Sequence, residues 1–408
     1  MWLMQAYLIA IGVYSICSSN EYVIRASIRA AQNYNTYILI EATPHQVNQF
    51  GGYSGMTPSD FRDFVYRIAD EEGLERNRII LGGDHLGPLP WQDLPEPQAM
   101  QYARELIRAF VESGYTKIHI DCSMPLSDDS ETLPYPRIAE RTRELFEVAE
   151  RTAREYDNQP VYVVGTDVPI AGGGEEEGVT SVEDFRSAIE YLRRYFEDVM
   201  NIWDRVVGFV IMLGIRFSYQ TVFEYDRSQV EPILREVSST DLFVEGHSTD
   251  YQARYALRNM VLDGVRILKV GPALTAAFRR GVFLLSRIEQ EIIPERLRSN
   301  ILEVILRTML RDDRYWRNYY RDSEDLRYDI LYNLLDRIRY YWNYPDVEQV
   351  LRELFRHFSE GVDPRFIYQY FYDSYFRVRN GEMRNDPRDL IEAEIQEVLE
   401  DYFYAIIL

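Results

Sequence analysis

The chain has 408 residues, 46% of them apolar, which suits a large barrel with an appendage better than one small domain. Acidic residues outnumber basic ones 66 to 45, and no basic cluster interrupts the net charge of −21, which excludes nucleic acid and anionic membranes as partners but leaves room for a phosphorylated small molecule. The two cysteines, Cys17 and Cys122, fit reduced thiols in the cytoplasm, and no C-x-x-C pair offers a thiolate zinc site.

The apolar N-terminus, MWLMQAYLIAIGVYSIC, lacks a basic lead and a small-residue cleavage site. It turns polar at SSNE too early for a membrane span. It reads as a lead into a first buried strand, residues 11–17. A second strand, 36–42, ends at Glu41 and opens the loop EATPHQVNQFGGYSG. Its amides Gln46, Asn48 and Gln49 offer donors and acceptors for sugar hydroxyls, or simply tie the loop together. Thr57-Pro58 then starts a helix that stops at Gly73.

The third strand, 78–84, runs into Asp84-His85 and the turn LGPLP. A neutral imidazole ligates divalent ions, and a carboxylate beside it could move a proton at a hydroxyl near the ion. A helix-capping aspartate next to a hydrogen-bonded histidine explains the pair equally well. A helix ending at Gly114 leads to the fourth strand, 117–123, which carries His119 and Asp121 on one face. Asp121 is a candidate ligand; His119 could be a third imidazole ligand but reads better as a filled-core histidine. After a helix over 136–156, the fifth strand, 161–167, ends at Asp167. The run GGGEEEG at 172–178 is too acidic for a phosphate loop.

The sixth strand spans 206–214. The seventh, 242–247, ends at Glu245 and His247, with Gly246 allowing close backbone approach and Ser248 and Asp250 following as candidate substrate contacts. The eighth, 265–271, carries Lys269 and Gly271 into KVGPALT, where free N–H groups before a helix suit a phosphate. Beyond about residue 292 only helical periodicity remains.

Eight near-continuous apolar strands alternating with helices predict a TIM (β/α)8 barrel over residues 1–291, with a helical extension over 292–408. No G-x-G-x-x-G follows the first strand, which disfavours a doubly wound dinucleotide fold. In a barrel, strand ends converge on one face. That gathers Glu41 and Asp84 as acid/base candidates, and His85, Asp121, Asp167 and His247 as a mixed N/O sphere for Zn2+ or Mn2+.

The segments IGVYSICSSN, EATPHQVNQFGGYSGMTPSDFRDFVY, RIILGGDHLGPLPWQ, TKIHIDCSM, GTDVP, EGHSTDYQ, LKVGPALT and DRIRYYW together resemble the Z-subunit family of tagatose-1,6-bisphosphate aldolase. The resemblance implies a class II aldolase-type barrel serving galactitol, N-acetylgalactosamine or tagatose catabolism. It implies an accessory, non-catalytic subunit that supports a catalytic class II aldolase partner, as a hetero-oligomer or by self-association. The alternative is a metal-dependent 4-epimerase of tagatose 6-phosphate and fructose 6-phosphate, acting by retro-aldol cleavage and re-addition. An older kinase label in the family finds no Walker or glycine-rich phosphate loop here. The chain departs from the family where GTDVPIAGG replaces GTEVPVPGG, ATPHQ replaces ATSNQ, and VIMLGIRF replaces VVQPGVEF. Met212, Leu213 and Arg216 thus stand in place of an amide, a proline and an acid.

Overall fold

Eight parallel strands close into a single barrel in a computed structural model that describes residues 12–165, 178–196, 202–320, 323 and 325–407. The strands are β1 (Val13–Ile16), β2 (Ile38–Ala42), β3 (Ile79–Leu86), β4 (Lys117–Asp121), β5 (Val161–Gly165), β6 (Val206–Val210), β7 (Phe243–Gly246) and β8 (Val265–Val270). Each pairs with its neighbour in the chain, and β8 closes on β1 in the register Val13↔Ile267 to Ile16↔Val270. The expected (β/α)8 barrel is present, with further helices after it.

The connecting helices are α1 (Glu21–Asn33), α2 (Pro58–Glu72), α3 (Glu96–Glu112), α4 (Tyr135–Glu155), α5 (Val182–Phe196), α6 (Arg227–Ser238), α7 (Arg254–Leu262) and α8 (Pro272–Ile292). Their limits follow local chemistry. Thr57 and Asp60 form a reciprocal capping box at α2, Pro58 occupies its first turn, and Gly73 ends it at φ 76°. A two-stranded ribbon, Arg216–Phe217 with Val222–Phe223, follows β6.

Period-2 alternation sorts each strand into an outer apolar face and a lumen face. At the bottom of the lumen, Val13, Leu39, Ile80, Val161, Val207, Phe243 and Ile267 form a closed apolar layer. Two residues further along the strands, the same face carries Ser15, Glu41, Lys117, Glu245 and Lys269, all buried. Asp84, His119 and His247 lie one step higher again, and Asp121 one step above His119. The apolar floor keeps water out from below, so the charged layer must satisfy itself or serve what enters from above.

After the barrel come α9 (Ile301–Arg311), α10 (Leu326–Tyr332), α11 (Pro345–His357), α12 (Pro364–Tyr370), α13 (Tyr372–Arg379) and α14 (Pro387–Ile406). The last helix returns to the barrel wall, packing on α1, α7, α8 and the outer side of β1. Phe403 meets Tyr14 of β1 edge-on, with ring centroids 4.8 Å apart. Gly281 of α8 lets the two helices approach closely: a Cβ there would lie 3.0 Å from Ile391 Cα. Leu390, Ile391, Ile395, Leu399, Phe403 and Ile406 of α14 are buried, each contributing about 1.5–3 kcal/mol as an upper estimate.

Candidate metal centre and active site

The centre is built around an irregularity in β3. Its pairing with β4 shifts register between Gly83 and Leu86, and His85 takes φ 51°. This bulge turns two neighbouring side chains toward one place, which regular alternation forbids. It brings ligand-capable atoms of Asp84, His85, His119 and His247 within 4.8 Å of one another, all four residues buried. The His85 and His247 rings stand 4.7 Å apart, centroid to centroid.

Each imidazole is oriented by a group behind it. His85 Nδ1 lies 2.8 Å from Asp121 Oδ2, and Asp121 Oδ1 accepts from the N–H and hydroxyl of Ser123 at 3.0 and 2.6 Å. His247 Nε2 bonds Glu245 Oε1 at 2.9 Å, leaving Nδ1 as the free lone pair. His119 Nδ1 sits 3.0 Å from Asp84 Oδ1 and 3.1 Å from the backbone N–H of His85, so its tautomer decides which of them it bonds. Its Nε2 is buried with no partner among the described residues.

Beneath the imidazoles lies an ionic layer. Lys117 Nζ is 2.5 Å from Glu41 Oε1 and 2.7 Å from Glu245 Oε2. Lys269 Nζ ion-pairs with Asp84 Oδ1, and lies 3.3 Å from Glu41 Oε2 and 3.2 Å from Glu245 Oε1. Ser15 Oγ donates to Glu41 Oε2 at 2.5 Å. Gly82 makes room for this layer, since a Cβ on it would lie 2.7 Å from Glu41 Oε1.

The layer sets the charge states above it. Burial alone would push the Asp84 carboxyl up, but His85, Lys269 and His119 hold it well below the usual range. Burial and then the Lys269 charge bring His247 down to about 3, so it is a neutral imidazole at pH 7. Burial also lowers His119, with Asp84 opposing. For His85 burial is overcome by Asp84 and Asp121, and its pKa rises.

The structure puts the sequence-predicted residues to different uses. Asp84, His85 and His247 meet in the cluster, with Glu41 and Lys269 directly below. Asp121 stands one hydrogen bond behind His85, as its orienting carboxylate. The loop amides tie the loop itself: Gln46 bonds Thr43 N and Cys17 O, Asn48 bonds Pro44 O, Phe50 N and Gly52 N, and Gln49 bonds Tyr102 O. Asp250 caps α8, its Oδ1 accepting from Gly271 N at 3.0 Å and Ala273 N at 2.8 Å. Ser248 follows His247 at φ 56°. Asp167 and residues 172–177 lie outside the described residues. Sequence reasoning passed over Lys117 as a functional residue and read His119 as core. The signal was present in KIHID, where polar groups at every second position contradict a fully apolar lumen.

The donor set suits a divalent metal ion: three imidazoles and one carboxylate, with His85 and His247 each backed by a carboxylate and His119 Nε2 orphaned among the described residues. A separate cavity of about 570 Å³, lined by Tyr251, Ala276, Phe283, Leu284, Tyr332 and Val398 among others, holds none of these four residues.

The family model described as D-tagatose-1,6-bisphosphate aldolase subunit GatZ/KbaZ-like matches residues 4–407. A solved structure from Sinorhizobium meliloti 1021, described as a probable tagatose 6 phosphate kinase, is 38% identical with a TM-score of 0.89, over 97% of this chain and 100% of that one. The YdjI aldolase from Escherichia coli K12 is 11% identical with a TM-score of 0.46, over 86% of this chain and 94% of that one. The fructose-bisphosphate aldolase of Campylobacter jejuni is 15% identical with a TM-score of 0.47, over 88% and 93%. With almost its whole length matched by the model and a 38% identical relative covering 97% of it, the chain belongs to the GatZ/KbaZ-like family of D-tagatose-1,6-bisphosphate aldolase subunits.

Proposed function

We propose that the chain catalyses metal-dependent aldol-type chemistry on a ketose phosphate, as a 4-epimerase of the tagatose 6-phosphate and fructose 6-phosphate kind. The observation that carries this reading is the assembled cluster of Asp84, His85, His119 and His247 over a charged layer sealed from below. His85, His119 and His247 would hold the ion, which when bound supplies Lewis-acid polarisation of the ketose carbonyl. Asp84, kept ionised by its cationic neighbours, takes the proton of the C4 hydroxyl. The C3–C4 bond then breaks to an aldehyde and an enediolate. Rotation of the aldehyde and re-addition invert C4, and Asp84 returns the proton. Lys269 steadies Asp84 throughout.

A second reading is the accessory subunit of a hetero-oligomer with a catalytic class II aldolase, and one observation favours it. At the end of β6, where the resemblance gives the family an amide and a proline, this chain places Met212 and Leu213, both buried. Two free cysteines suit a reducing cytoplasm for either role.

The deciding experiment incubates the purified chain with fructose 6-phosphate, follows tagatose 6-phosphate by NMR, and measures bound metal with and without His85→Ala. Turnover lost in Asp84→Asn supports the catalytic reading. No metal and no turnover, together with activation of a co-expressed class II aldolase, would replace it with the accessory one.

A further inference from the structure

A phosphate ester needs a seat of cations or free N–H groups near the barrel mouth. The start of α8, where barrels often hold phosphate, is already filled by the Asp250 carboxylate. Lys269 is engaged with three carboxylates. Two guanidiniums from beyond the barrel are placed differently. Arg337 and Arg339 belong to the short turn Arg337–Tyr340 that follows α10.

Both donate to one oxygen, the Tyr340 hydroxyl, at 3.1 and 3.0 Å. Arg339 also donates to the Leu335 and Asp336 carbonyls. The adjacent acid, Asp336, is taken by α8: Arg279 pairs with it at 2.6 Å and Thr275 donates to it at 2.5 Å. Among the described residues, no ion pair includes either Arg337 or Arg339. Arg337 is only 4% exposed, and its Nε has no hydrogen-bond partner among the described residues. Arg337 also lies over the Tyr319 ring at 3.4 Å, and Arg337 and Arg339 face the Tyr340 ring at 5.1 and 4.6 Å, but rings do not neutralise them: two adjacent cations repel each other, and an anion that accepts from both relieves the repulsion.

The pair borders the mouth. The Tyr340 ring packs on Tyr53 with centroids 4.6 Å apart, and Tyr53 N–H donates to His45 O at 2.9 Å in the loop after β2. His45 itself is exposed to solvent. Surrounding protein, and after it the charges of His85 and Arg337, lower its pKa to about 4.

We propose that Arg337 and Arg339 hold the phosphate group of the substrate, so that the segment beyond the barrel completes the site. This rests on the ketose-phosphate reading above. The test titrates the full chain, stripped of divalent metal, with inorganic phosphate, fructose 6-phosphate and fructose by calorimetry at fixed ionic strength. Wild type is expected to bind phosphate. Arg339→Gln, with an unchanged melting temperature, should weaken phosphate and fructose 6-phosphate alike by about tenfold or more. If that variant melts early, Arg339→Lys, which keeps the charge without the fork, should weaken both several-fold. No phosphate bound by wild type, binding unchanged in a folded arginine variant, or binding that requires the metal would each overturn the assignment. Phosphate held through the arginines, with fructose 6-phosphate no tighter than inorganic phosphate once metal is restored, would keep the seat and overturn the ketose reading instead.

Discussion

His85 occupies a left-handed conformation that costs a non-glycine residue on the order of 1 kcal/mol or more, and the bulge holding it there is what lets Asp84 and His85 serve one centre. On the proposed metal reading, Asp121, 2.8 Å from His85 Nδ1, would act through His85 as a positioning residue. Asp121→Asn should keep the fold but lower metal affinity about 10–100-fold, read by competitive chelation, because the amide no longer fixes the imidazole as a carboxylate does. Equal affinity in the variant would remove that role. Lys117 has a different part: its side chain is buried and neutralises Glu41 and Glu245 at once. Lys117→Met leaves Glu41 and Glu245 to share Lys269, which already pairs with Asp84, so the buried layer carries one more uncompensated negative charge over an apolar floor. It should cost about 3–5 kcal/mol in urea unfolding, against little change for an exposed pair such as Arg235–Glu231.

At the scale of the element, α14 explains why the sequence keeps acids on a helix face that is buried. Glu392 pairs with Arg29 of α1, and Glu394 with Arg280 of α8. Burial, only partly offset by these arginines, raises both carboxyls to about 7 from an ordinary value of 4.5. The folded state therefore holds these protons more tightly than the unfolded chain does. Stability should fall as pH rises from about 4.5 through about 7, by a few kcal/mol in order of magnitude. The double variant Glu392→Gln, Glu394→Gln should lose most of the difference in unfolding free energy between pH 6 and pH 8. An unchanged pH dependence would show that these carboxyls do not carry the effect.

Over the whole molecule, the helices after residue 292 are bound into the barrel at several points. Tyr402 donates to the Thr249 carbonyl at 2.8 Å just beyond β7, and Asp336 joins the turn before Arg337 to α8. We therefore expect the chain to fold as one unit, with the division at 291/292 marking a change of pattern and not an independent module. Removing residues 386–408 uncovers Tyr14, the face of α8 around Gly281 and their neighbours. The truncated chain should aggregate or lose cooperative unfolding, as seen by circular dichroism and size-exclusion chromatography. A truncated chain that stays monomeric and melts cooperatively would make the extension a separate domain.

Most of the barrel was legible in the linear order, because buried parallel strands announce themselves as β-branched runs and helices as 3.6-residue periodicity bounded by Thr-Pro and glycine. The convergence of Asp84, His85 and His247 followed from strand ends alone. Pairing distance was not legible. Whether Asp121 ligates or orients depends on a one-residue bulge, and local sequence does not specify a bulge. Nor could KIHID reveal whether Lys117 meets carboxylates, since Glu41 and Glu245 come from strands 76 and 128 positions away. The sequence by itself determined the architecture and the chemical inventory of the mouth. Only the tertiary structure decided which charges neutralise each other and which, like Arg337 and Arg339, rest on tyrosine rings and neutral oxygens with no ion pair among the described residues, because charge compensation is a property of three-dimensional neighbours.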